Sequence, residues 1–407
     1  MKVGISTSVI QRGQTGIAQY VFALVRAFLE HVPQHEFYLL TLEEDVPLFN
    51  FAADKLRIVR VAEGYRNPVD NILWHQTQLP RIARELQLDI LHVPSYRRLM
   101  WPRPCAMVGT IHDLAPFTVN KKYDWTRMLY GRVIAKRLAR RQHEIIAISQ
   151  NTARDIHRFF KVPMEKINVV HNGVDHARFY PVDGAAAQSA AASLYHLKKP
   201  FFLYVARLEH PGKNHVRLIT AFNQFKLETR ADVQLVLVGS DWSGAEIIHR
   251  RIKESPFCND ILCLGFVPDE KLPVLYRAAT AFIYPSLYEG FGMPPIEAMA
   301  CGCPVLSSTR GSLEEVIGQA ALRVDPEDIT AIKWELARLW KDPALRESLR
   351  SAGLIQAQRF SWQKSAQLTL DVYSRALYRL KAAPAPSFAS SPTAPKLKKQ
   401  HSLHVIR

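Results

Sequence analysis

Two glutamates and the loop between them are the residues of this sequence best suited to chemistry on a polar ligand. Glu289 and Glu297 are separated by seven residues. The segment before them, residues 280–285, is short, apolar and ended by a proline, which predicts a buried strand. Glu289 should therefore lie just beyond the C-terminal end of a strand, where sheets of α/β proteins bind their ligands.

The loop between the two glutamates predicts an anion site. Gly290 and Gly292 lack a Cβ atom, so their backbone can turn sharply and approach a ligand. Pro294 and Pro295 fit the first turn of a helix, whose free N–H groups attract phosphate. Glu297 would lie about one turn inside that helix. A sugar donor that carries phosphate would suit this arrangement, and the alternative is a structural loop followed by a helix with solvated acids.

A second pair of charged residues follows another predicted strand. The apolar run 201–206 is typical of a strand in a sheet covered on both faces. Arg207 comes directly after it, and Lys213 follows six positions later, across a Pro-Gly turn. The planar guanidinium and the point charge of the lysine can together hold a diphosphate. Taken alone, two surface cations would be the simpler interpretation, so the combination with the paired glutamates is what favours a diphosphate site.

Both motifs resemble those of one enzyme family. The Glu-x7-Glu pattern with an internal Gly-Phe-Gly, and the Arg-x5-Lys pair, resemble the retaining glycosyltransferases of the family 4 type. This resemblance implies the α/β GT-B fold, in which two Rossmann-like, doubly wound domains face a central cleft. It also implies that Glu289 and the amides of Gly290, Phe291 and Gly292 hold the donor sugar, and that Glu297 binds the ribose of the nucleotide.

The same resemblance implies roles for five other residues. Arg207 and Lys213 would bind the donor diphosphate. His112, in the run Thr-Ile-His-Asp at a strand end, would contact and orient the donor sugar, although a structural histidine satisfied by its neighbours is the alternative. Gly16 lies in a loop that in the family touches the donor phosphates or the acceptor, where a plain structural turn fits equally well. Val267 would lie against the nucleobase.

Short apolar strands alternate with longer amphipathic segments along the chain. This alternation predicts mainly parallel sheets with helices on both faces. In the first half, the predicted strands are 3–6, 37–41, 58–61, 90–93, 106–111, 145–148 and 167–170. In the second half they are 201–206, 235–238, 261–264, 280–285 and 304–307.

The patterns divide the chain into two domains and two smaller parts. Residues 1–178 are predicted to form an N-terminal acceptor-binding domain, and residues 200–360 a C-terminal domain that binds the nucleotide sugar. The alanine-rich stretch within 178–199 is interpreted as their connection. The resemblance implies that a helix at 361–381 crosses back to the first domain. Prolines, serines and lysines without periodicity predict a disordered basic tail at 382–407.

Composition indicates a globular protein and an anionic partner. The 407 residues are 48% hydrophobic and 22% charged, as is usual for a chain of two domains. A net charge of +16 suggests nucleic acid, an anionic membrane or a phosphorylated substrate.

Five scattered cysteines without zinc spacing predict reduced thiols and no metal site. No secretory core or apolar run of membrane-spanning length is present, so we expect a cytoplasmic protein.

A basic segment at 123–141 predicts an amphipathic helix. It carries several arginines among tryptophan, methionine, leucine, valine and isoleucine. Such a helix can lie on an anionic membrane or face a lipid diphosphate, which would make the protein peripheral on the cytoplasmic face of the inner membrane. An ordinary solvated face is the alternative. Further along the chain, Ser312 and Glu315 predict a capping box at the start of a helix.

Together these features predict a retaining hexosyltransferase that needs no metal or other cofactor. The catalytic residues would be His112, Arg207, Lys213 and Glu289. Fixed cations and helix N–H groups would stabilise the departing diphosphate, and the acceptor hydroxyl would enter on the same face of the sugar. The run Thr-Ile-His-Asp-Leu-Ala-Pro looks most like bacterial mannosyl- or rhamnosyltransferases of polysaccharide assembly, which suggests GDP-mannose as the donor; UDP-sugars are the alternative.

The expected partners are the nucleotide sugar and a glycan acceptor. A polyprenyl-diphosphate-linked glycan or a polysaccharide would suit the positive charge. A nucleotide-sugar epimerase or hydrolase on the same fold is the alternative function, and turnover without an acceptor would favour it. No nucleic-acid partner is expected, because the sequence lacks the interleaved aromatic and basic residues of RNA-binding strands.

Overall fold

Two parallel sheets, each covered by helices on both faces, organise the chain. The structure is a computed structural model, and it describes residues 1–13, 15–52, 55–118 and 131–382 and the backbone of 405–406. When the strands are numbered in chain order, the parallel strands of the first sheet lie in the order 3-2-1-4-5-6-7, and those of the second sheet in the order 10-9-8-11-12-13. Within these strands every pairing is parallel. Both orders place the first strand centrally, so each sheet has the doubly wound arrangement expected from the sequence.

The elements of the first domain alternate between strand and helix. In chain order they are β1 (Lys2–Ser6), α1 (Gly16–His31), β2 (Glu36–Leu42), β3 (Arg57–Val61), α2 (Pro68–Glu85), β4 (Ile90–Val93), β5 (Ala106–Ile111), α3 (Ala115–Thr118), α4 (Lys136–Arg141), β6 (Glu144–Ala147), α5 (Gln150–Asp155) and β7 (Ile167–Val169). Short 3-10 helices lie at Gln11–Gly13, Glu43–Ala52, Glu63–Arg66, Tyr96–Arg98 and Met164–Lys166, and π-helical turns at Gly131–Ala135 and Ile156–Phe160.

The second domain repeats the pattern and adds helices at its end. In chain order its elements are α6 (Gly184–Tyr195), β8 (Phe201–Val205), α7 (His215–Thr229), β9 (Gln234–Val238), α8 (Ala245–Lys253), β10 (Ile261–Gly265), α9 (Leu272–Ala278), β11 (Ala281–Tyr284), α10 (Met293–Ala300), β12 (Val305–Ser308), α11 (Leu313–Ile317), β13 (Leu322–Val324), α12 (Ile329–Lys341) and α13 (Pro343–Ala357). A 3-10 helix lies at Cys258–Asp260. The alanine-rich stretch within 178–199 therefore forms α6, which Asp183 caps through its carboxylate.

The last helix, α14 (Trp362–Ala382), returns to the first domain. Its apolar face joins the core formed by β1, β2 and α1, where Leu370 and Tyr373 lie with Phe28 and Phe37. The hydroxyl of Tyr373 is 2.8 Å from Nδ1 of His92, a buried histidine of β4. Because α14 is anchored by both apolar and polar contacts, it joins the end of the second domain to the back of the first.

Two sequence expectations fall partly outside the described residues. Of the predicted basic helix at 123–141, the structure describes only 131–141, as a π-helical turn followed by α4. Of the predicted tail at 382–407, it describes Ala382, which ends α14, and a two-residue strand, β14 (Val405–Ile406). That strand is antiparallel to β3. Within the described part of the chain, no helix is both long and apolar enough to cross a bilayer.

Candidate active site

Lys213 and Glu289, two of the predicted site residues, meet directly. Lys213 lies in the turn between β8 and α7, and Glu289 in the loop between β11 and α10. The turn and the loop are joined where the amide of Leu287 donates to the carbonyl oxygen of Gly212 at 3.0 Å. Nζ of Lys213 lies 2.6 Å from Oε1 of Glu289, and the two side chains are 16% and 14% exposed. The ion pair therefore joins the two predicted motifs of the second domain.

Three donors converge on one oxygen of Glu289. Besides Lys213, the hydroxyls of Tyr284 and Ser286 donate to Oε1 at 2.8 and 2.6 Å. Burial would raise the pKa of this carboxyl, but the ammonium of Lys213 and the two hydroxyls outweigh burial and lower the pKa. The carboxylate is therefore ionised at neutral pH. None of these three bonds uses Oε2, which leaves that oxygen to accept from a ligand hydroxyl.

The Gly-Phe-Gly loop of the second domain lies directly against the first domain. A Cβ atom at Gly290 would lie 2.1 Å from the carbonyl oxygen of His112, at the end of β5 in the first domain. Gly292 has φ of 107°, and a Cβ atom there would lie 2.5 Å from Leu313. Contacts and backbone conformation within the protein therefore require glycine at both positions, independently of any ligand. Phe291 is buried against the rings of His171 and Phe360, whose centroids are 5.9 and 5.7 Å from its own ring centroid.

His112 is held as a neutral acceptor at the cleft. Burial lowers its pKa to about 4, and the carbonyl of Pro94 accepts a hydrogen bond from its ring. Nε2 is buried and has no hydrogen-bond partner among the described residues, so Nδ1 carries the proton that is donated to Pro94. The ring of Tyr20 packs edge-on against the imidazole, with the centroids 4.8 Å apart. An unpaired buried acceptor is costly unless a ligand satisfies it, so Nε2 is suited to a sugar hydroxyl.

Arg207 lies at the end of β8, as the sequence predicted, but turns toward a different neighbour than Lys213. Its guanidinium stacks over the ring of Trp242, 4.5 Å from the centroid, and donates to Glu209 at 3.2 Å. The side chain is 48% exposed. Within the described residues, no hydrogen bond or ion pair joins Arg207 to Lys213 or Glu289. The bond to Glu209 uses one N–H of a guanidinium that has five to donate.

Glu297 lies on α10, whose first turn carries the two prolines expected from the sequence. The hydroxyl of Tyr276 donates to Oε2 of Glu297 at 3.0 Å. Burial and, after it, the charge of Asp269 raise the pKa of Glu297 to about 7, against the opposing effects of Tyr276 and Arg178. Glu297 is therefore a carboxyl that changes its charge near neutral pH.

The structure does not bring every predicted site residue to this pair. Gly16 opens α1, where a Cβ atom would meet nothing within 4 Å. Val267 is buried in the turn after β10. Within the described part of the chain, no hydrogen bond or ion pair joins either residue to Lys213 or Glu289. In the same part, no group of three His, Cys, Asp or Glu side chains is placed to hold a metal ion.

Comparisons with known proteins decide the family. Residues 14–178 match the model described as Glycosyltransferase Family 4, and residues 188–356 match the model described as Glycosyl transferases group 1. The MMP alpha-(1->4)-mannosyltransferase of Mycolicibacterium hassiacum is 31% identical over 68% of this chain and 67% of its own length. This chain belongs to the group 1 glycosyltransferases. The O-antigen chain mannosyltransferase B of Escherichia coli is 29% identical to it over 92% of this chain and 99% of the relative.

The fold of the glycosyltransferase also matches that of solved structures. HepE of Anabaena, in complex with UDP and glucose, aligns with a TM-score of 0.74 and 18% identity over 92% of this chain and 99% of its own. The likeness extends over both sheets, so the two-domain GT-B fold predicted from the sequence is confirmed.

The groups through which this glycosyltransferase joins its domains beside the site could not be found from the sequence alone. The hydroxyls of Ser149 and Thr152 donate to the carbonyl oxygen of Gly290 at 2.8 and 3.2 Å. The hydroxyl of Tyr288 donates to Asp155 at 2.6 Å. Ser149 does cap α5 as such a serine should, but its partner in the other domain follows more than a hundred residues later, and no local pattern predicts that contact.

The predicted capping box is wrong. Ser312 makes no side-chain cap on α11, because its hydroxyl donates to the carbonyl oxygens of Glu289 and Phe291 at 3.0 and 2.7 Å. The carboxylate of Glu315 instead accepts from the amides of Gln150 and Asn151 in the first domain. Contacts with other parts of the fold satisfy both side chains, so the local motif does not form.

Proposed function

We propose that this glycosyltransferase transfers a hexose from a nucleotide sugar with retention of configuration at the sugar carbon and without a metal. The observation that carries the proposal is the contact between Lys213 and Glu289. A fixed cation lies 2.6 Å from one oxygen of a carboxylate whose other oxygen is left to accept. The cation can hold a phosphate while the carboxylate accepts from a sugar hydroxyl, and a sugar nucleotide carries both groups side by side.

The proposed reaction is a displacement on one face of the sugar. The bond between the anomeric carbon and the phosphate oxygen breaks, and negative charge moves onto the diphosphate. Lys213, Arg207 and the N–H groups at the start of α10 stabilise that charge from fixed positions. The acceptor hydroxyl enters on the same face, forms the new bond, and gives its proton to the leaving phosphate. Oε2 of Glu289 and Nε2 of His112 hold the sugar hydroxyls.

GDP-mannose is the donor that we propose. The proposal is supported by the two mannosyltransferases to which the chain is similar, which come from different bacteria. UDP-sugars are the competing donors, since HepE was solved with UDP and glucose. Glu297 suits either donor, because both nucleotides carry a ribose diol that an ionised carboxylate can accept from.

A lipid-linked glycan or a polysaccharide is the acceptor that we propose. The name of the similar O-antigen chain mannosyltransferase supports a glycan that is being extended during polysaccharide assembly. The net charge of +16 would favour the diphosphate of a polyprenyl carrier. Both domains would then take part, with the acceptor bound by the first and the donor by the second.

We also propose that the first domain contacts the anionic surface of a membrane. In the π-helical turn before α4, Val133 and Ile134 are 56% and 47% exposed, and their neighbour Arg132 is exposed too. At the far end of α4, the guanidinium of Arg141 stacks over the ring of Trp101, 4.3 Å from the centroid. Exposed apolar residues beside arginines are what an anionic interface binds.

Product analysis tests the transfer reaction. The purified protein is incubated with GDP-mannose or UDP-glucose and a polyprenyl-diphosphate-linked glycan, with and without a chelator. We expect transfer from GDP-mannose, the same anomeric configuration in product and donor by NMR, and no effect of the chelator. Release of free sugar without acceptor would indicate a hydrolase, and conversion to a different sugar nucleotide would indicate an epimerase.

Sedimentation with vesicles tests the membrane contact. The double variant Val133→Ser/Ile134→Ser should bind vesicles of anionic phospholipid less well than the wild type, and neutral vesicles should bind neither protein. Leu227→Ser is the matched control, because Leu227 is 65% exposed on α7 of the second domain. Equal binding by the double variant and the control would contradict the proposed surface.

A further inference from the structure

The carboxylate of Glu315 crosses from the second domain to the first. Glu315 lies on α11, and both of its oxygens are 2.9 Å from the amide nitrogen of Gln150. The amide of Asn151 donates to Oε2 at 3.3 Å. These amides belong to the first turn of α5, where the N–H groups have no partner within the helix. Nε2 of His171, just after β7, lies 2.5 Å from Oε1 of the same carboxylate. One side chain of the second domain thus binds three groups of the first.

Contacts in the opposite direction tie the loop of the active site to the same helix. The hydroxyls of Ser149 and Thr152 donate to the carbonyl oxygen of Gly290. The hydroxyl of Tyr288 donates to the carboxylate of Asp155, at the other end of α5. Gly290 and Tyr288 flank the site glutamate in the sequence. Helix α5 is therefore fastened at both ends to residues adjacent to that glutamate.

Helix α11 is itself fastened to the loop that carries Glu289. The hydroxyl of Ser312, directly before α11, donates to the carbonyl oxygens of Glu289 and Phe291. The amide of Ser312 donates to the carbonyl oxygen of Glu289 as well, at 3.2 Å. A displacement of Glu315 would therefore also shift the loop of Glu289, because the hydrogen bonds of Ser312 join α11 to that loop.

We propose that Glu315 is a positioning residue for the sugar transfer. By binding the N-terminus of α5 it holds the domains closed, with the loop of Glu289 placed against the strand end that carries His112. A carboxylate at a helix N-terminus is favoured by the free N–H groups and by the helix dipole. Without it, the open arrangement gains population, and part of the donor's binding free energy is spent on closing the cleft. The proposal rests on the proposed roles of Glu289 and His112 but not on the identity of the donor.

Two substitutions and one control separate this role from a general loss of stability. Glu315→Ala removes the carboxylate, and Glu315→Gln keeps an oxygen for the amides of α5 but loses the charge. Glu314→Ala is the matched control, because Glu314 is the preceding residue on α11 and its side chain is 63% exposed. With GDP-mannose as the donor, we expect kcat/KM to fall about 10- to 100-fold in Glu315→Ala, less in Glu315→Gln, and to stay unchanged in the control.

Small-angle X-ray scattering shows whether the effect comes from closure. Without nucleotide, Glu315→Ala should have a larger radius of gyration than the wild type, and saturating GDP should reduce the difference. Hydrogen exchange should be faster in the variant at residues 287–293 and 110–114, which meet across the cleft. A folded Glu315→Ala protein with unchanged scattering would overturn the proposal, even if its activity fell. If the alanine variant fails to fold, the same measurements on Glu315→Gln decide.

The variant Lys213→Ala distinguishes a failure of this proposal from a failure of the proposed reaction. It removes a cation from the site without touching α5 or α11, so it should lose activity with unchanged scattering. An active Lys213→Ala protein together with an open Glu315→Ala protein would refute the proposed chemistry and leave the role of Glu315 intact. An inactive Lys213→Ala protein together with a closed, active Glu315→Ala protein would refute the role of Glu315 and leave the proposed chemistry intact.

Discussion

Gly290 of the second domain lies against the backbone of His112 in the first, so close that a Cβ atom would be 2.1 Å from the carbonyl oxygen of His112 and 2.8 Å from Cβ of Asp113. A backbone carbonyl at the end of a buried strand cannot rotate away as a flexible side chain can. The closed arrangement of the domains therefore depends on the absence of a side chain at position 290. The glycine serves the contact between the domains at the same point where the sequence suggested a contact with the donor.

Gly290→Ala should force the cleft open by the width of a methyl group. We expect kcat to fall about 10- to 100-fold, because small displacements of reacting groups have effects of that size. The melting temperature should change little, since the cores of both domains are untouched. Gly64→Ala is the control, because a Cβ atom at position 64 meets nothing within 4 Å. Equal kcat values for the two variants would show that the closed arrangement is not needed for transfer.

Lys213→Met should impair both the reaction and the stability of the protein. It leaves the carboxylate of Glu289 buried with hydroxyl partners but no cation, which should cost about 1–3 kcal/mol of unfolding free energy. Loss of a fixed positive charge next to the leaving diphosphate should lower kcat about 100- to 1000-fold. Steady-state kinetics and urea denaturation measure the two effects.

Lys199→Met is the matched control for that substitution. Lys199 also pairs with a carboxylate, that of Asp232 at 2.7 Å, but its side chain is 46% exposed. An exposed pair contributes little, so this variant should match the wild type in urea denaturation and keep its activity. Comparable losses in both lysine variants would mean that Lys213 has no special place in the site.

The main elements of the fold could be predicted because their signals are local. The apolar run at 201–206 and the proline that ends 280–285 each mark a strand by composition alone, and the strands β8 and β11 lie there. The positions of Arg207 and Glu289 follow from those strands, since each comes after a strand end. Their placement needed no knowledge of distant contacts.

The contacts between the domains could not be predicted, because their partners are far apart in the chain. Ser312 and Glu315 have the spacing of a capping box, and a single sequence gives no sign that a helix of the other domain offers Glu315 better partners. Likewise, the sequence suggests that position 290 is a glycine so that the backbone can approach a ligand. In the structure, the atom that a Cβ there would meet first is the carbonyl oxygen of His112. Long-range packing outweighs local preference where two surfaces meet.

Trp242→Ala should weaken the reaction through Arg207. The indole holds the guanidinium by a cation–π contact, and such contacts at exposed sites contribute about 0.5–1 kcal/mol. We therefore expect kcat to fall about two- to fivefold in Trp242→Ala and less in Trp242→Phe, which keeps an aromatic face. Trp334→Ala is the control: Trp334 is 55% exposed and also carries a cation, Lys333, 4.9 Å from its centroid. A larger effect of the control on kcat would contradict the role of Trp242.

Glu297 should make nucleotide binding depend on pH around neutrality. Its pKa of about 7 means that the carboxyl is largely protonated at pH 6 and largely ionised at pH 8. If the ionised form accepts from the ribose hydroxyls, binding of GDP should release a proton at pH 6 and tighten as the pH rises to 8. Calorimetry in two buffers of different ionisation enthalpy measures the proton. In Glu297→Gln the dependence should disappear, whereas it should persist in Glu347→Gln, where the glutamate is exposed on α13.

The same pKa predicts how stability changes with pH. The native carboxyl of Glu297 keeps its proton up to about pH 7, whereas in the unfolded chain it loses the proton near its ordinary value of 4.5. Between those values the native state binds more protons, so this group's contribution to stability is full below pH 4.5 and is lost as the pH rises through 7. Between pH 5 and pH 8 the free energy of unfolding of Glu297→Gln should therefore rise by about 1–2 kcal/mol relative to that of the wild type. This gain is smaller than the pKa shift alone would give, because the side chain keeps some contact with solvent. Urea denaturation at the two pH values measures the gain; equal differences at both would show that Glu297 is already ionised at pH 5.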